Sequence, residues 1–414
     1  MKKFQASNGI TVLHSNNPTS RAFCVGVWTK VGSRNEKNGE EGLCHFLEHM
    51  LFKGTANRSA LNISQEIERA GGSLDAFTTK EQVCVYAQVL ENHAELAFDI
   101  LGDMLTHSCY APEQVALERQ VVLEEIHDVM DAPDDLIHDL LAAAIFPDHP
   151  LGQPILGRPE TVSKFSREML VSFSRRAFRA GNILIAVFGN IDGRRLRRLC
   201  ETHFNFPDGH AKLKSRRPGK FLPVRRLYRR NLHHQHLCLG SRACSYLDER
   251  RYAIMVLTTL LGGGMSSRLF QRIREEMGLA YNIFTYAEYA KDSGLIGTYL
   301  AVNPSKAAKA VQSVLGEFDK ARNGDIGKEE LRDVKEQLRG KILLGLETSA
   351  AKMMRMARNE IYYGRQVSER EIIGKISAVS MDELHNAASE VLSPENTTVI
   401  SLGPTASGVR VVRR

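Results

Sequence analysis

The spacing of apolar residues along the chain predicts a mixture of strands and helices. In residues 83–89 the side chains of Val83, Val85 and Val89 occupy alternate positions, which indicates a strand with one buried face. In residues 60–70, Ile63 and Ile67 lie one turn apart, which indicates an amphipathic helix that the following glycines end. Both periods recur throughout the sequence, so we expect an α+β fold.

The first half of the chain is predicted to run from strands through helices to a closing strand. Its predicted strands are residues 10–13, 23–28, two strands within 74–89 around Lys80 and Glu81, and 183–189. Its predicted helices are residues 41–52, 60–70, 93–106, 112–130, 134–145 and 167–178, followed by an arginine-rich helix.

The same order of elements recurs in the second half. Its predicted strands are residues 236–240, 279–289, 294–302 and 397–403, and its predicted helices are residues 250–261, 267–276, 305–322 and 328–362. The recurrence predicts two homologous domains from one duplication, each a β-sheet with helices packed on one face. We expect these domains in residues 1–210 and 231–414, joined by a basic linker in residues 211–230.

The net charge of +7 is concentrated around the predicted linker. No acidic residue occurs between Gly209 and Asp248, whereas lysine and arginine are frequent in residues 212–230 and in residues 194–198. Prolines and glycines in the same stretch favour a solvated linker, so we expect no nucleic-acid partner. A basic nucleic-acid-binding protein is the alternative that this stretch leaves open.

The composition is that of a soluble globular protein, with 43% hydrophobic and 25% charged residues. No apolar run approaches the roughly 18 residues of a membrane span, and the first residues lack the apolar core of a signal peptide. The 7 cysteines are odd in number and contain no Cys-x-x-Cys pair, which is typical of reduced thiols. We therefore expect a cytoplasmic protein without a membrane partner.

The predicted helix 41–52 carries the clearest candidate chemistry. His45 and His49 are one helical turn apart, so their imidazoles share a face and can bind one metal ion. Glu48 lies beside that face, where its carboxylate can act as a general base toward water. The order His-x-x-Glu-His inverts the His-Glu-x-x-His order of zinc peptidases. A catalytic zinc ion takes three protein ligands, so the site needs one more.

The predicted helix 112–130 is the best source of that third ligand. Glu118 and Glu125 are separated by two helical turns and share a face. Glu125 can then bind the metal while Glu118 supports a ligand through a hydrogen bond. Spacing alone leaves Glu124 as an alternative ligand, and it leaves open an ordinary solvated surface.

Residues 41–55 resemble the signature of the inverted-zincin peptidases, the family of pitrilysin, insulin-degrading enzyme and mitochondrial processing peptidase. In that family the third ligand is a glutamate about 76 residues beyond the second histidine. The resemblance implies Glu125, because it follows His49 by 76 residues. The family's accessory catalytic glutamate, two turns earlier, falls on Glu118. Length and layout resemble the bacterial processing-peptidase branch, which is similar to the β subunit.

The resemblance also implies how a substrate binds. Residues 71–78 are similar to the family's substrate strand, although Asp75 stands where asparagine is frequent. The implied substrate-binding residues of this segment are Ser73, Leu74, Asp75, Ala76, Phe77 and Thr78. Arg274 and Tyr281 occupy the positions of the family's substrate-binding Arg/Tyr pair, in a half without any His-x-x-Glu-His. Two chains form the chamber in this branch, so the resemblance implies a homodimer with one Zn²⁺ per chain.

These expectations describe a zinc metalloendopeptidase that hydrolyses unfolded or presequence-like peptides inside a closed chamber. His45, His49 and Glu125 hold zinc, Glu48 is the general base toward the zinc-activated water, and the peptide extends along a strand. Acidic residues follow the third ligand and would favour basic peptides if they line the chamber: Asp128, Asp131, Asp134 and Asp135.

Two further interpretations stay open. Some family members have lost activity, so a non-catalytic scaffold is an alternative, although the intact metal-binding pattern argues against it. His233, His234 and His236, together with Cys238, have a composition that suits a second metal site. They begin an alternating strand, however, and no acidic partner lies nearby in the sequence.

Overall fold

The computed structural model describes residues 1–211 and 216–405, which form two compact units. Unit 1 consists of Met1–His127, Pro154–Ser215 and Gly345–Gln366. Unit 2 consists of Asp128–Gln153, Arg216–Leu344 and Val367–Arg414. Each unit therefore includes a segment from the opposite half of the chain. The ranges 1–210 and 231–414 remain our proposal for how the duplicated halves divide along the sequence.

Strands and helices are numbered in chain order. The strands are β1 Lys2–Gln5, β2 Thr11–Asn16, β3 Ala22–Thr29, β4 Ser73–Thr78, β5 Val83–Leu90, β6 Ile183–Gly189, β7 Arg225–Arg229, β8 Gln235–Ala243, β9 Ala280–Tyr289, β10 Gly294–Val302 and β11 Thr398–Gly403. The helices are α1 Leu43–Leu51, α2 Ala60–Arg69, α3 Ala94–His107, α4 Pro112–Asp131, α5 Pro133–Ile145, α6 Pro159–Val162, α7 Arg167–Ala177, α8 Gly193–His203, α9 Arg251–Gly262, α10 Ala307–Arg322, α11 Lys328–Leu344, α12 Ser349–Tyr363, α13 Glu369–Ala378 and α14 Met381–Val391. A π-helix spans Phe270–Glu276.

Unit 1 is built on a six-stranded sheet in the order β1-β2-β6-β3-β5-β4. Strands β2 and β6 run parallel, and every other neighbouring pair is antiparallel. Helices α1, α3, α4, α7 and α8 cover one face, where Phe46, Phe98 and Phe165 are fully buried. Strand β4 forms one edge of this sheet, so one side of its backbone is left without a partner strand in the sheet.

Unit 2 repeats this topology in a five-stranded sheet, β7-β11-β8-β10-β9. The parallel pair β7–β11 matches β2–β6, and the three antiparallel pairs that follow match β6–β3, β3–β5 and β5–β4. Two sheets with the same strand order and the same directions confirm the predicted duplication and the α+β class. The apolar faces of α9, α10, α11 and α14 bury the main core of this unit.

A single helix covers the second face of each sheet and comes from the other half of the sequence. In unit 1, Met353 and Met356 of α12 pack with Trp28 on the face of the sheet opposite α1. In unit 2, Ile137 and Leu141 of α5 pack with strands β8, β10 and β11. Apolar residues on both faces of the central strands require this second cover, because an exposed face would leave large apolar surface in water.

Several predicted elements differ from the structure. The helix predicted over residues 328–362 is two helices, because Gly345 interrupts it and Thr348 caps the second helix by accepting a hydrogen bond from Ala351 N–H. Helices α13 and α14 were not predicted. Within the predicted linker, residues 212–215 lie outside the described residues, and Arg225–Arg229 form the edge strand β7, whose three arginines are exposed. Parallel pairing with β11 stabilises this strand.

Membrane spans and disulfides are both missing from the described fold. None of the helices in residues 1–211 and 216–405 combines the length and the apolar composition that crossing a bilayer requires. All the cysteines are free thiols, and only Cys109 is exposed. Apolar packing and hydrogen bonding therefore stabilise the two units without covalent cross-links.

Candidate metal and peptide site

Helix α1 positions three candidate residues through an unusual N-terminus. Its N-cap is Gly42, which has a φ of 95° and no side chain to cap the helix. The carboxylate of Glu36 takes over this role, accepting hydrogen bonds from Gly42 N–H at 3.0 Å and from Cys44 N–H at 2.7 Å. The apolar side chains of α1 pack into the core, and the remaining face presents His45, Glu48 and His49.

Helix α4 contributes two glutamates from a face that is otherwise apolar. Val115, Val122 and Ile126 are buried against the core, and Glu118 lies among them with 2% of its surface exposed. Glu125 lies two turns further along the helix and is half-buried. The helical period therefore places both carboxylates on the side of α4 that meets α1.

The structure brings His45, His49 and Glu125 together. Glu125 Oε2 lies 3.8 Å from His45 Nε2 and 3.7 Å from His49 Nε2. Both distances are too long for hydrogen bonds. Two ligands on one tetrahedral zinc ion, at bond lengths of about 2.0–2.2 Å, lie about 3.3–3.6 Å apart. The three side chains therefore fit around a single ion with small adjustments.

An unsatisfied buried acceptor supports the same conclusion. Glu125 Oε2 is buried without a hydrogen-bond partner. A buried acceptor normally has a partner, and a cation shared with the two imidazoles would provide one. Within residues 1–211 and 216–405, this trio is also the one group of three His, Cys, Asp or Glu side chains close enough to hold an ion.

The protonation of His45 suits metal binding. Burial, together with the nearby imidazole of His49, lowers the pKa of His45 to about 3. Its imidazole is therefore neutral at physiological pH, and neutral imidazole is the form that binds zinc.

Glu118 orients the second histidine. Its Oε1 lies 2.8 Å from His49 Nδ1, so His49 donates from Nδ1 and directs Nε2 toward Glu125. Its Oε2 forms an ion pair with Lys53 Nζ at 2.7 Å. Burial raises the pKa of Glu118, but the hydrogen bonds from His49 and Lys53 outweigh it and hold the pKa below its usual value. A carboxylate that orients a metal-binding histidine is a common arrangement around zinc.

Glu48 has the environment of a general base. Its Oε2 accepts a hydrogen bond from the hydroxyl of Thr78, at the end of β4. Burial raises the pKa of Glu48, and this effect exceeds the opposing effect of the Thr78 hydrogen bond. A carboxylate with a raised pKa accepts a proton more readily than an exposed one. The edge strand β4 therefore lies in direct contact with the helix that carries the histidines.

The remaining predicted residues occupy other positions. Glu124 is exposed and does not join the trio, which disfavours it as the third ligand. In unit 2 the guanidinium of Arg274 lies 4.8 Å from the ring centre of Tyr281, whose side chain is 84% exposed. The two residues of this pair are therefore in contact. His236 is buried and its Nδ1 lies 2.9 Å from Tyr299 Oη, an ordinary hydrogen bond in the core.

Two residues near the site, Lys53 and Glu36, had no predicted role, and the contact of a third with Glu48 was not predicted. Lys53 follows His49 by one helical turn, and this spacing was a usable signal. Thr78 was assigned to the substrate strand, but nothing in the sequence linked it to Glu48. Glu36 lies in an irregular loop, so no periodicity indicated that its carboxylate caps α1.

Comparison with known proteins identifies a family and several relatives of this chain. Residues 11–159 match the family described as Insulinase (Peptidase family M16), and residues 164–338 match the family described as Peptidase M16 inactive domain. An uncharacterized zinc protease of Bacillus subtilis, YmxG, is 35% identical over 395 residues, covering 95% of this chain and 96% of that protein. An uncharacterized zinc protease of Mycobacterium leprae is 38% identical over 408 residues, covering 96% of this chain and 91% of that protein.

Solved structures share the fold at lower sequence identity. A protease from Helicobacter pylori superposes with a TM-score of 0.91 at 21% identity, covering 97% of this chain and 99% of that one. A protein described as a peptidase M16 inactive domain, from Pseudomonas fluorescens, gives a TM-score of 0.91 at 18% identity and covers 98% of both chains. These two likenesses concern the fold alone.

Proposed function

Because the chain belongs to the insulinase family of zinc-dependent peptidases, family M16, we propose that it is an endopeptidase in which His45, His49 and Glu125 hold the zinc ion and Glu48 is the general base. One observation carries this assignment above the others. The trio contains a buried carboxylate oxygen without a hydrogen-bond partner, 3.7 Å and 3.8 Å from two imidazole nitrogens.

Several side chains of unit 1 have separate roles in the proposed reaction. A bound zinc ion acts as a Lewis acid that lowers the pKa of water and polarises a carbonyl group. Glu48 accepts a proton from the attacking water at its carboxylate and returns it to the leaving amine. Thr78 holds Glu48 in place through its hydroxyl. Glu118 keeps the ring of His49 oriented, so that its Nε2 faces Glu125.

The substrate is an extended peptide paired with strand β4. The outer edge of β4 has no partner strand among the described residues, and its last residue, Thr78, contacts the general base. Recognition through the backbone favours unfolded or presequence-like peptides over folded proteins. In line with the family resemblance, Ser73–Thr78 bind the substrate, and Arg274 and Tyr281 bind it from the metal-free half. The same resemblance supports a homodimer that encloses a chamber, and light scattering would test the dimer. The cysteine pattern, typical of reduced thiols, favours a cytoplasmic location.

Cleavage of a library of unstructured peptides, analysed by mass spectrometry, tests the assignment. We expect cleavage by the zinc-loaded protein, loss after chelation and recovery when zinc is returned. The variant Glu48→Gln should keep stoichiometric zinc and lose about 10²–10⁴-fold in kcat, the usual contribution of a general base. Equal cleavage by Glu48→Gln and the wild type would contradict the proposed mechanism.

Two neighbouring glutamates provide a matched control for the ligand. Glu125→Gln should lose both bound zinc and activity, because an amide oxygen binds zinc far more weakly than a carboxylate does. Glu124→Gln removes the same charge one position earlier and should retain both. Equal zinc content in the two variants, measured by atomic emission, would remove Glu125 from the ligand set.

A further inference from the structure

The backbone of β4 offers alternate residues to an incoming strand. Across the hairpin that joins β4 to β5, Thr79 N–H donates to Gln82 C=O at 2.8 Å, which makes these two residues a hydrogen-bonded pair. Hydrogen-bonded and non-hydrogen-bonded pairs alternate in an antiparallel ladder. Ser73, Asp75 and Phe77 therefore bond to β5, while Leu74, Ala76 and Thr78 direct their N–H and C=O groups to the free edge.

The side chain of Asp75 accepts a hydrogen bond from one of these outward-facing N–H groups. Its Oδ1 accepts a hydrogen bond from Ala76 N–H at 2.8 Å, and its Oδ2 accepts one from Tyr86 O–H at 3.0 Å. Asp75 itself is exposed. None of the ion pairs formed by the described residues includes it. The carboxylate thus covers the N–H group that a peptide carbonyl needs, and no cation among the described residues of unit 1 forms an ion pair with it.

Two aromatic rings lie on the same face as Asp75. Tyr86 is directly opposite Asp75 in the ladder, and its ring centre lies 6.4 Å from that of Phe77. Thr78 belongs to the other face, where its hydroxyl meets Glu48. Side chains of a peptide paired with β4 also alternate between the two faces. Every second side chain of the peptide therefore projects toward the face that carries Asp75 and the two rings.

Peptide binding requires an exchange of hydrogen-bond partners at Ala76. When a peptide carbonyl accepts from Ala76 N–H, Asp75 Oδ1 loses that donor. A lysine or arginine side chain opposite Asp75 supplies a new donor and a countercharge, and its cation can also lie over the aromatic rings. A neutral side chain leaves the carboxylate to water, and an acidic one adds like-charge repulsion.

We propose that Asp75 is a specificity-determining residue that selects peptides with a basic side chain opposite it. This inference rests on the proposed function, because it requires the substrate to pair with β4. Asp75 and Thr78 are three residues apart on the strand, so the basic side chain lies about 10 Å along the peptide from the residue opposite Thr78. Asparagine at this position would preserve the backbone contact and lack the charge.

A set of peptides with one arginine moved through a neutral sequence tests the inference. For the wild type, arginine at one position relative to the cleaved bond should raise kcat/KM by about tenfold, the combined effect of an exposed ion pair and a cation–π contact. In Asp75→Asn, arginine at that position should change kcat/KM by less than about twofold relative to the neutral parent peptide measured on the same variant. Glu113→Gln, which removes an exposed charge on α4, should keep the wild-type preference.

Binding measurements separate this inference from the proposed function. On the Glu48→Gln background, fluorescence anisotropy should show tighter binding of the arginine peptide, and the added Asp75→Asn change should abolish the difference. If the wild type cleaves no peptide but this binding difference appears, the proposed function fails and the specificity assignment stands. If Asp75→Asn keeps the arginine preference in both assays, the inference is overturned while the peptidase assignment is unaffected.

Discussion

The carboxylate of Glu118 joins Lys53 to His49 in a short chain of contacts that ends at the proposed metal site. Glu118 is buried, and its two oxygens are shared between a lysine on one side and an imidazole on the other. A buried carboxylate with one oxygen unpaired would rotate or take up a proton. Lys53 therefore fixes the orientation of Glu118, and through it the direction of His49 Nε2.

Replacing Lys53 should weaken zinc binding even though Lys53 touches no ligand directly. Lys53→Met should lower the affinity of the apoprotein for zinc by about tenfold, as loss of outer contacts commonly does. Lys53→Arg keeps a cation within reach of Glu118 and should restore most of the affinity. Titration against a chromophoric chelator measures both variants without any assay of activity. Equal affinity for Lys53→Met and the wild type would show that Lys53 has no positioning role.

Helix α1 depends on a glycine at its N-terminus for two physical reasons. Gly42 has a φ of 95°, a left-handed conformation that residues with a Cβ atom rarely adopt. A Cβ atom there would also lie 2.4 Å from the carbonyl oxygen of Leu156. The backbone at the N-terminus of α1 therefore packs closely against the loop that contains Leu156.

A pair of glycine substitutions separates these two effects. Gly39 has a φ of 86°, and a Cβ atom added to it would meet no other atom within 4 Å, so Gly39→Ala should cost only the conformational strain, about 1–2 kcal/mol. Gly42→Ala adds the collision with Leu156 and should lower the free energy of unfolding by about 2–4 kcal/mol. Urea titration monitored by circular dichroism measures both losses. Equal losses for the two variants would mean that the backbone near Leu156 relaxes without cost.

Each half of the sequence contributes one helix to the unit that is built mainly from the other half. Distant parts of the sequence therefore pack together. Helix α12 completes the packing of the unit 1 sheet, although most of unit 2 lies between β6 and α12 along the chain. The face that α12 covers includes Trp28, Leu184 and Phe188, all buried in the complete unit. Removing that helix would expose a contiguous apolar surface of the kind that promotes aggregation.

A fragment of residues 1–211 should therefore fail to form a stable monomer, although it contains every proposed metal ligand. It lacks α12, and it retains α5, whose apolar face packs in unit 2. We expect the fragment to bind a hydrophobic dye and to unfold without cooperativity, whereas co-expression with residues 345–366 should reduce dye binding. Cooperative unfolding of the fragment alone, at the stability of the intact protein, would contradict the assigned role of α12.

Local sequence patterns were sufficient to predict part of the candidate site and most of the helices and strands. His45, Glu48 and His49 belong to one helix, and helical geometry alone determines that their side chains are neighbours. Most strands of both sheets were recognisable from their alternation and from β-branched residues, but the edge strands β1 and β7 were not predicted. The break between α11 and α12 was missed because Gly345 and Thr348 stand inside an otherwise continuous helical pattern, where a single glycine is a weak signal.

The amino-acid sequence thus defined the two-histidine face of α1, the duplicated order of elements and the family of the chain, since these depend on periodicity and on residues close together along the backbone. Tertiary packing determined the contacts between elements at the site, because the distance between α1 and α4 depends on how both helices pack on one sheet. That packing places Glu125 rather than Glu124 beside the imidazoles and brings Lys53 to Glu118. It also brings Thr78 to Glu48 and leaves the edge of β4, with Asp75 on it, without a partner strand in the described part of the chain.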